Sequence, residues 1–506
     1  MKRQTKVVLA TALFAMGASL TAMAAEKGTW VMEDGEWYCY DSDGDVIENE
    51  FCLSNGKEYY VGDDGTLVCS AWVEDDGDYY YVNSAGEKIK NEWRYTAPYE
   101  DEEGDEEWYY FKSNGKRAED EKLVIGGKTY FFNGDGAMLT GWVYGDSEGY
   151  DEASTEELGG KTYYCDEDGA RVSKAWVKTY APGVDEDEDD VDEDDMNWYY
   201  IKSSGEPATK KQSNINGQTY FFNKNGVMLS GWVVVTSDSN CEEIWVEDET
   251  TNVTLSQVIS EGSDVYFCGD EEDGHAKKGR WFMTYANTDY GMDDTDNDEF
   301  WFYAESNGKV YVPTEGSAAS AAQEYDLDDV TAQNAEDGKI ENDSRFSADD
   351  AHALAAEKKL NGEYYLFNQD GQMLYGFIEM DGEVYYYGGS NDGAKKDGSF
   401  TVTDDCGETV KCYFATETTS TGYVDNAGVN GAKNGKLYAF GVLVKAEDAK
   451  YEMKTVSGNC FIVNKSGSIQ SDTSVYKEDG EELFGSQTFT YVKDKGVTYN
   501  SIKTAK

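Results

Sequence analysis

One aromatic stretch recurs along the chain and constrains its fold more than any other feature. In residues 217–232, Thr-Tyr-Phe-Phe is followed by Asn-Lys-Asn-Gly and by a Val-Met-Leu run that closes on Gly-Trp, and the pattern recurs in residues 127–142 and 361–377. Aromatic residues suit a half-buried strand, and Asn and Gly tolerate the positive φ of a tight turn, so each copy predicts a β-hairpin. One short hairpin cannot bury its own aromatic face. The chain is therefore predicted to be all-β, a solenoid of stacked β-hairpin repeats with long acidic loop insertions.

A longer repeat is superimposed on the short one. Residues 28–93 hold three compact units of about twenty residues, the size of one strand–turn–strand step of a solenoid. From Trp93 onward, a strand leads into an acidic loop and then into an aromatic trio, and this order recurs after Trp176 and Trp281. The loops are residues 100–107, 185–195 and 289–299, and the trios begin at Trp108, Trp198 and Trp301. This pattern predicts growth by duplication of a three-hairpin block.

The patterning divides the chain into six predicted segments. They are a signal peptide at 1–24, compact hairpins at 28–93, hairpins with acidic insertions at 93–312, an irregular and partly helical insertion at 313–359, degenerating hairpins at 360–445 and a β-rich C-terminal cap at 446–506. Residues 348–360 predict a short surface helix within the insertion. Residues 451–470 predict a strand–turn–strand that covers the last hydrophobic face of the array.

The first residues predict export. Lys2, Arg3 and Lys6 precede an apolar run over residues 7–20, and Ala22-Met23-Ala24 fits a small-x-small cleavage site, so the mature chain is predicted to begin at Ala25. An uncleaved membrane anchor is the alternative, disfavoured because the apolar run is short for a membrane span. We predict a secreted protein at a bacterial cell surface or cell wall, attached non-covalently and not inserted in the membrane after signal removal.

Composition and charge narrow the possible ligands. The chain has 39 Tyr, 20 Phe and 12 Trp beside only 4 Pro, which does not fit a disordered chain. Its formal net charge of -58 repels nucleic acid and anionic membranes. Cationic ligands or neutral sugars remain as candidates.

Nine cysteines at irregular spacing give no framework for a disulfide pattern or a metal site. Several replace strand residues, as Cys39 and Cys165 do, which predicts buried, reduced side chains that act as small hydrophobic groups. A disulfide between Cys406 and Cys412 across a hairpin is the alternative prediction.

The sequence offers little for catalysis or metal binding. The two histidines, His275 and His352, lie far apart in acidic segments, and a carboxylate pair cannot be singled out among 101 acidic residues. Residues 41–45 and 293–298 begin like calcium loops, but neither completes the EF-hand pattern. We predict that the chain is not an enzyme and has no cofactor or dedicated metal site. The acidic loops are interpreted as solubilising, with weak multi-site cation association left open.

The first position of the aromatic trio varies between matched hairpins. It is aromatic in some copies and Glu or Thr in others, namely Glu58, Thr129, Thr162 and Thr219. A purely structural role would not require such an exchange between a large ring and a small polar side chain. The aromatic copies are therefore candidates for ligand binding.

A Gly-Trp pair, a short polar stretch, an aromatic trio and a turn ending in glycine together resemble the cell-wall-binding (choline-binding) repeat. The glucan-binding repeats of glucosyltransferases and the repeats of large clostridial toxins are similar. The resemblance covers residues 28 to about 400 and is specific because the motif recurs in register. It implies a pocket formed by the Gly-Trp ring, the first trio ring and an apolar residue of the next hairpin, which accepts a quaternary ammonium by cation–π contact.

Five residue pairs match this implied pocket. They are Trp30 with Trp37, Trp72 with Tyr79, Trp93 with Trp108, Trp176 with Trp198, and Trp281 with Trp301. We predict non-catalytic binding of a cell-wall polymer or glycan, choline-substituted or glucan-like, through several weak pockets. The alternative is a structural or adhesin-like surface protein whose repeats space and display the acidic loops.

Overall fold

The structure of the chain is a computed structural model. It describes residues 23–25, 28–101, 103–153, 161–184, 191–243, 255–285, 299–315, 319–325, 351–403, 407, 409–420, 422–471, 477–478, 481–482, 493 and 495–498. The chain divides into two compact units, one of residues 1–212 and 222–228 and the other of residues 213–221 and 229–506.

The first unit consists of short antiparallel strands that pair mostly with their neighbours in the chain. They are β1 (Met23–Ala25), β2 (Gly28–Glu33), β3 (Glu36–Tyr40), β4 (Glu50–Ser54), β5 (Lys57–Val61), β6 (Ala71–Asp75), β7 (Asp78–Val82), β8 (Glu92–Thr96), β9 (Glu107–Phe111), β10 (Glu121–Ile125), β11 (Lys128–Phe132), β12 (Gly141–Gly145), β13 (Tyr150–Glu152), β14 (Lys161–Cys165), β15 (Ala175–Thr179) and β16 (Asn197–Ile201). A short 3-10 helix, Glu193–Asp195, precedes β16. Strands β17 (Lys210–Ile215) and β18 (Gln218–Phe222) contain the boundary with the second unit.

The second unit contains larger sheets as well as hairpins. Its elements are β19 (Trp232–Val235), β20 (Cys241–Glu243), α1 (Leu255–Ser260), β21 (Asp264–Phe267), β22 (Arg280–Tyr285), β23 (Glu299–Ala304), β24 (Ala319–Tyr325), β25 (Ala351–Leu360), β26 (Glu363–Asn368), β27 (Met373–Leu374), β28 (Phe377–Met380), β29 (Glu383–Tyr386), β30 (Gly398–Thr403), β31 (Thr409–Phe414), β32 (Gly431–Lys433), β33 (Lys436–Ala439), β34 (Val442–Val444), β35 (Tyr451–Val456), β36 (Asn459–Asn464), β37 (Lys477–Glu478), β38 (Glu481–Glu482) and β39 (Val497–Thr498). Strands β24 to β29 form one six-stranded sheet and β30 to β34 one five-stranded sheet. The predicted all-β, hairpin-repeat fold is confirmed.

Compact hairpins turn through two residues that both have positive φ. In β10–β11 these are Gly126 (φ 60°) and Gly127 (φ 87°), and the ladder runs from Glu121 opposite Phe132 to Ile125 opposite Lys128. Two positive φ values define the type I′ turn, whose twist matches that of the strands it joins. The two-residue turn therefore comes before the aromatic run.

The predicted position of the hairpin turn is wrong for the copies at 127–142 and 217–232. There the Asn-x-x-Gly segment follows the second strand and leads only to isolated bridges, between Phe132 and Met138 and between Phe222 and Met228. The loop folds around its own asparagine, because the Asn133 side-chain oxygen accepts the Ala137 N–H at 2.8 Å. Such a side-chain-capped loop does not need a paired strand on its far side. In the copy at 361–377 the turn does join paired strands, because β27 pairs with β26 across it.

One recurrent backbone hydrogen bond joins successive hairpins of the first unit, except at Pro207, which has no N–H to donate. We call the residue two places after the glycine of each Asn-x-x-Gly-type turn the bridging residue. It donates its backbone N–H to the carbonyl of the first trio residue in the preceding hairpin. These bonds join Leu67 to Trp37 (2.9 Å), Lys88 to Glu58, Arg117 to Tyr79, Met138 to Trp108 and Arg171 to Thr129 (each 2.8 Å). The bridging residue is thus fixed beside the first trio side chain.

The next turn glycine covers the bridging side chain. A Cβ on Gly136 would collide with Arg117 Cδ, and a Cβ on Gly169 would collide with the Met138 sulfur. Both glycines also have positive φ, so backbone conformation and space require glycine together. Each bridging residue is therefore held at its backbone and along its side chain.

The acidic insertions replace the two-residue turns of three hairpins. Strands β8 and β9 pair from Glu92 opposite Phe111 to Thr96 opposite Glu107, and β15–β16 and β22–β23 pair in the same way. A longer tip leaves this register unchanged, so the insertions do not disturb the hairpin faces. Residues 102, 185–190 and 286–298 of these loops lie outside the described residues.

The helix predicted over 348–360 is wrong for its described part. Residues 351–360 form β25, which pairs with β24 on one side and with β26 on the other. Pairing along both edges satisfies the backbone groups that a helix would satisfy internally, and it overrides the helix propensity of Ala, Glu and Lys. Residues 348–350 lie outside the described residues.

Several cysteines are buried, as predicted. Cys165, Cys268, Cys412 and Cys460 are free thiols within hydrophobic clusters or strands, exposed by 1% or less. Burial raises the pKa of Cys165 and of Cys412 to about 12, which suppresses the reactive thiolate. Cys406 lies outside the described residues, so its pairing with Cys412 stays a prediction.

The C-terminal region continues the β architecture. Within the predicted strand–turn–strand of residues 451–470, strands β35 and β36 pair around Ser457 and Gly458, and an isolated bridge joins Val463 to Ile469. Val456 and Phe461 join the same hydrophobic cluster as Val444, which extends the core toward the C-terminus. Within the described part of the chain, no helix is long and apolar enough to cross a membrane.

Candidate ligand-binding site

Each hairpin with an acidic insertion brings two predicted tryptophans onto one face. In β8–β9, Trp93 lies opposite Tyr110 and Trp108 lies opposite Tyr95, so the two tryptophans are diagonal neighbours across the ladder. The same register relates Trp176 to Trp198 and Trp281 to Trp301. Trp72 and Tyr79 have this relation in a compact hairpin as well. The long sequence separation within the inserted hairpins therefore does not change the geometry of the pair.

The pairs in β8–β9 and β15–β16 form matching perpendicular corners. The ring centroids of Trp93 and Trp108 are 6.4 Å apart at an interplanar angle of 88°, and those of Trp176 and Trp198 are 6.3 Å apart at 87°. Trp108 is 45% exposed, whereas the other three rings are partly buried. Each corner thus presents two aromatic walls with access from solvent.

Neighbouring aromatic rings, most of them in edge-on or tilted contact, hold the inner tryptophan of each pair. Trp93 lies 5.0 Å from both Tyr110 and Tyr130, and 5.7 Å from Phe132. The equivalent neighbours are Tyr200 and Phe222 for Trp176, and Tyr303, Tyr365 and Phe367 for Trp281. The inner wall is therefore rigid, because aromatic partners lie on its own hairpin and on the next.

A methionine accompanies each of the three pairs. Met138 donates its backbone N–H to the Trp108 carbonyl, and Met228 donates to the Trp198 carbonyl, both at 2.8 Å. In the second unit, Met373 belongs to the cluster against which Trp281 and Trp301 pack. Trp301 also donates its indole N–H to the Asn391 side-chain oxygen at 3.2 Å. The three sets share two rings and one soft, polarisable side chain.

The pair Trp72–Tyr79 has a different third member. Its bridging residue is Arg117, whose guanidinium carbon lies 4.3 Å from the centroid of the Tyr79 ring and 5.8 Å from that of Trp72. The indole N–H of Trp72 donates to the Ala97 carbonyl at 2.8 Å, and its ring packs on Tyr109 at 4.8 Å. A cation of the chain itself occupies this pair.

The pair Trp30–Trp37 is more enclosed. Trp30 is only 3% exposed and belongs to a cluster with Cys39, Ile47 and Cys52. Trp37 packs against this cluster and accepts the bridging hydrogen bond of Leu67 at its carbonyl. Trp30 therefore contributes chiefly to the core of its hairpin.

Burial accounts for part of the exchange at the first trio position. Thr162 and Thr219 are each 1% exposed, so no large ring would fit there without rearrangement. Glu58 accepts a salt bridge from Lys88 at 3.1 Å, and the Lys88 ammonium lies 4.0 Å from the Phe51 ring centroid. Thr162 and Thr219 thus mark closed positions, whereas Glu58 is partly exposed and paired with Lys88.

Sequence reasoning named the paired rings but no bridging residue. The signal was present, because Met138, Met228 and Met373 stand two places after the turn glycine in all three copies of the recurring stretch. It also left out Trp142 and Trp232, which lie opposite Tyr164 and Phe267 as Trp72 lies opposite Tyr81, and which are 8% and 2% exposed. Trp142 donates its indole N–H to the Tyr180 carbonyl, as Trp72 does to Ala97.

Other candidate chemistry is sparse among the described residues. They contain no group of three or more His, Cys, Asp or Glu side chains placed to hold a metal ion. In the 41–45 loop, the Asp41 side chain accepts the N–H groups of Asp43 and Asp45 at 2.9 Å. His352 contacts Glu324 at 2.7 Å, and His275 contacts Asp273. Residues 293–298, the other predicted calcium-like segment, lie outside the described residues.

Comparison with known proteins matches the repeats directly. The choline-binding repeat family matches residues 208–242. The putative cell wall binding repeat family matches residues 70–88, 103–116, 125–138 and 193–206. These stretches include Trp72, Tyr79, Trp108, Met138 and Trp198.

Relatives with such similarity include larger enzymes. The chain is 25% identical over 321 residues to glucosyltransferase-S of Streptococcus mutans serotype c, covering 58% of this chain and 17% of that protein. It is 29% identical over 129 residues to a putative endo-beta-N-acetylglucosaminidase of Streptococcus pneumoniae serotype 4, covering 25% of this chain and 14% of that protein. The chain therefore spans less than a fifth of the length of these relatives.

Among solved structures, CbpJ from Streptococcus pneumoniae TIGR4 aligns with 71% of this chain and 99% of its own, at 19% identity and a TM-score of 0.35. The repeat matches extend over five stretches between residues 70 and 242, and they overlap the hairpins that carry the Trp72–Tyr79, Trp93–Trp108 and Trp176–Trp198 pairs. The chain therefore contains cell-wall-binding repeats of the choline-binding type over these stretches.

Proposed function

We propose that this chain is a secreted, non-catalytic protein that binds a bacterial cell-wall polymer through aromatic corners between hairpins. The principal sites are Trp93–Trp108 with Met138, Trp176–Trp198 with Met228, and Trp281–Trp301 with Met373. The ligand group that suits them best is a choline-like quaternary ammonium, with a sugar face as the alternative. The more enclosed Trp30–Trp37 pair is a lesser candidate.

The observation that supports this proposal most is the occupied pair. Arg117 lies over Tyr79 and Trp72, so the diagonal two-ring arrangement accepts a cation within this molecule. The equivalent pairs beside Met138 and Met228 have no cationic bridging residue, although the Lys178 ammonium lies 5.9 Å from the Trp198 ring centroid. At the Trp93–Trp108 corner, where Trp108 is 45% exposed, no cation of the described residues lies over either ring. A cation over an aromatic face gains about 0.5–2 kcal/mol, depending on desolvation.

Charge supports the same choice of ligand. A formal net charge of -58 raises the local concentration of cations near the chain and disfavours anionic polymers. Several weak corners on one chain also add through effective concentration when the polymer carries many ligand groups. A repeating cationic substituent on a wall polymer meets both conditions.

Location and activity follow from the repeats and the N-terminal pattern. Cell-wall-binding repeats imply a cell-surface location, and we propose that removal of residues 1–24 precedes it. Cleavage after Ala24 would leave only Ala25 of strand β1, whose neighbour β2 also pairs with β3. The absence of catalytic activity in this chain is part of the proposal, since relatives carry similar sequence within larger enzymes.

Retention on purified cell walls at constant ionic strength tests this function. We expect free choline to release the bound chain. Release by soluble glucan alone would indicate that the aromatic corners bind a sugar instead of choline. A W108A/W198A double variant should be retained less. Tyr375→Ala provides the matched control, because Tyr375 is 44% exposed and belongs to none of the pairs. Equal retention of wild type and double variant would contradict the proposal and favour display of the acidic loops.

A further inference from the structure

The bridging residues of the first unit fall into two chemical classes. Leu67 and Met138 are apolar, and so is Met228, whereas Lys88, Arg117 and Arg171 are cationic. Where described, each donates the same backbone hydrogen bond to a first trio residue, so the position is constant and only its side chain changes. This position therefore controls what lies against the trio rings.

Arg117 is built into its pair. Its side chain is 8% exposed, and its Nη2 donates to a Glu119 carboxylate oxygen at 2.9 Å. Its backbone N–H donates to the Tyr79 carbonyl, and its aliphatic part lies under Gly136. The guanidinium consequently faces the Tyr79 and Trp72 rings from a fixed direction.

The two other cationic bridging residues serve positions without a first trio ring. Lys88 forms a salt bridge with Glu58, and Arg171 donates its N–H to the Thr129 carbonyl. Tyr79 is thus the aromatic first trio residue of this unit that meets a cationic bridging residue. Tyr79 and Trp72 have the ring positions of a ligand pair but already contain a cation.

We propose that Arg117 acts as an internal ligand that closes the Trp72–Tyr79 pair, and that the bridging residue decides whether this pair and the Trp93–Trp108 pair are open to an external cation. This inference rests on the proposed cation-binding function. It predicts that exchange of the bridging residue opens or closes a site without any change to the aromatic rings. An arginine excludes a quaternary ammonium because both would occupy the same ring face.

Equilibrium dialysis with radiolabelled choline, at fixed ionic strength, tests the inference by counting sites on the full chain. Arg117→Met should raise the number of bound choline molecules by one. The reciprocal variant, Met138→Arg, should lower it by one, and the double variant should restore the wild-type number. Arg94→Met is the matched control: its guanidinium lies 4.7 Å from the Tyr81 ring but belongs to no bridging position, so the number should not change.

The outcomes separate this inference from the proposed function. Binding of choline by wild type with unchanged counts in Arg117→Met and Met138→Arg would overturn the role of the bridging residue alone. No choline binding by wild type, with none gained in Arg117→Met, would overturn both. Circular dichroism spectra identify a variant that fails to fold. If Arg117→Met fails to fold, the loss of one bound choline in Met138→Arg still tests the inference.

Discussion

At the residue scale, the turn glycines are as constrained as the aromatic rings. Gly136 and Gly77 have nearly equal φ angles of 79° and 78°, but only Gly136 lies against a bridging side chain. A Cβ on Gly77 would meet nothing within 4 Å. Alanine substitution at Gly77 therefore measures backbone strain alone, and substitution at Gly136 measures backbone strain together with steric collision.

We predict that Gly136→Ala is clearly more destabilising than Gly77→Ala. Both substitutions place alanine in the left-handed region, which costs about 1–2 kcal/mol. Gly136→Ala also forces Arg117 to move, which adds about 1–3 kcal/mol of overpacking. Urea unfolding of the two variants measures the difference in the free energy of unfolding. Equal losses of stability would show that the Arg117 side chain moves aside without cost.

The Glu58–Lys88 pair gives a pH-dependent contribution to stability. Burial tends to raise the pKa of the Glu58 carboxyl, but hydrogen bonds from Lys90 and Lys88 outweigh it and lower that pKa below its ordinary value. Burial lowers the pKa of Lys88, and Glu58 offsets this only in part. A depressed carboxyl pKa stabilises the fold above the unfolded-state pKa and stops doing so as pH falls through the folded-state pKa.

Glu58→Gln should therefore be less stable than wild type near pH 6, and the difference should shrink below about pH 4 as Glu58 protonates. Thermal unfolding at several pH values measures it. Asp63→Asn, at a nearby carboxyl that makes no salt bridge among the described residues, serves as the control. A difference that grows on acidification would contradict this electrostatic account.

At the element scale, the first acidic insertion forms the tip of the β8–β9 hairpin and also contacts the preceding β6–β7 hairpin. Its Ala97 carbonyl accepts the Trp72 indole N–H, and its Tyr99 ring lies 4.8 Å from Tyr79. The strands that hold Trp93 and Trp108 pair fully beneath the insertion. Ligand geometry and loop length are thus independent in this hairpin.

Replacing residues 97–106 with Asn-Gly should leave binding at Trp93–Trp108 intact. The variant should lose about 1–2 kcal/mol of stability, because it removes the Trp72–Ala97 hydrogen bond, the long Tyr99–Glu74 hydrogen bond and the Tyr79–Tyr99 ring contact. Quenching of tryptophan fluorescence by tetramethylammonium, combined with urea unfolding, tests both parts. Loss of binding in a folded variant would show that the insertion belongs to the ligand site.

At the scale of the whole molecule, the sequence was sufficient to predict the repeats and the all-β class. The periodic aromatic runs and the Asn-Gly and Asp-Gly turns carry that information locally. The turn position was misplaced because Asn-x-x-Gly and the two-residue turns have similar composition, and only pairing distinguishes them. Strand β25 was missed because its Ala, Glu and Lys residues favour a helix, whereas pairing with β24 and β26 decides its structure.

The candidate sites were predictable only in part, because local sequence patterns show the aromatic rings but not the pairing between strands and hairpins. The diagonal pairing of Trp93 with Trp108 follows from strand register, which spacing alone obscured across the insertion. The third member of each site comes from the next hairpin and depends on a backbone hydrogen bond that links the two hairpins. No local pattern shows that Arg117, rather than a ligand, faces Tyr79.

The most direct test of the account is a calorimetric titration of the chain with choline and with 3,3-dimethylbutan-1-ol, its uncharged isostere, at equal ionic strength. We predict that choline binds at least tenfold more tightly, since about 1.4 kcal/mol of cation–π energy corresponds to that factor. Binding should weaken in the W108A/W198A variant but not in Tyr375→Ala. Equal affinity for the two ligands, or unchanged choline binding in the double variant, would contradict the claim that these aromatic corners recognise a cation.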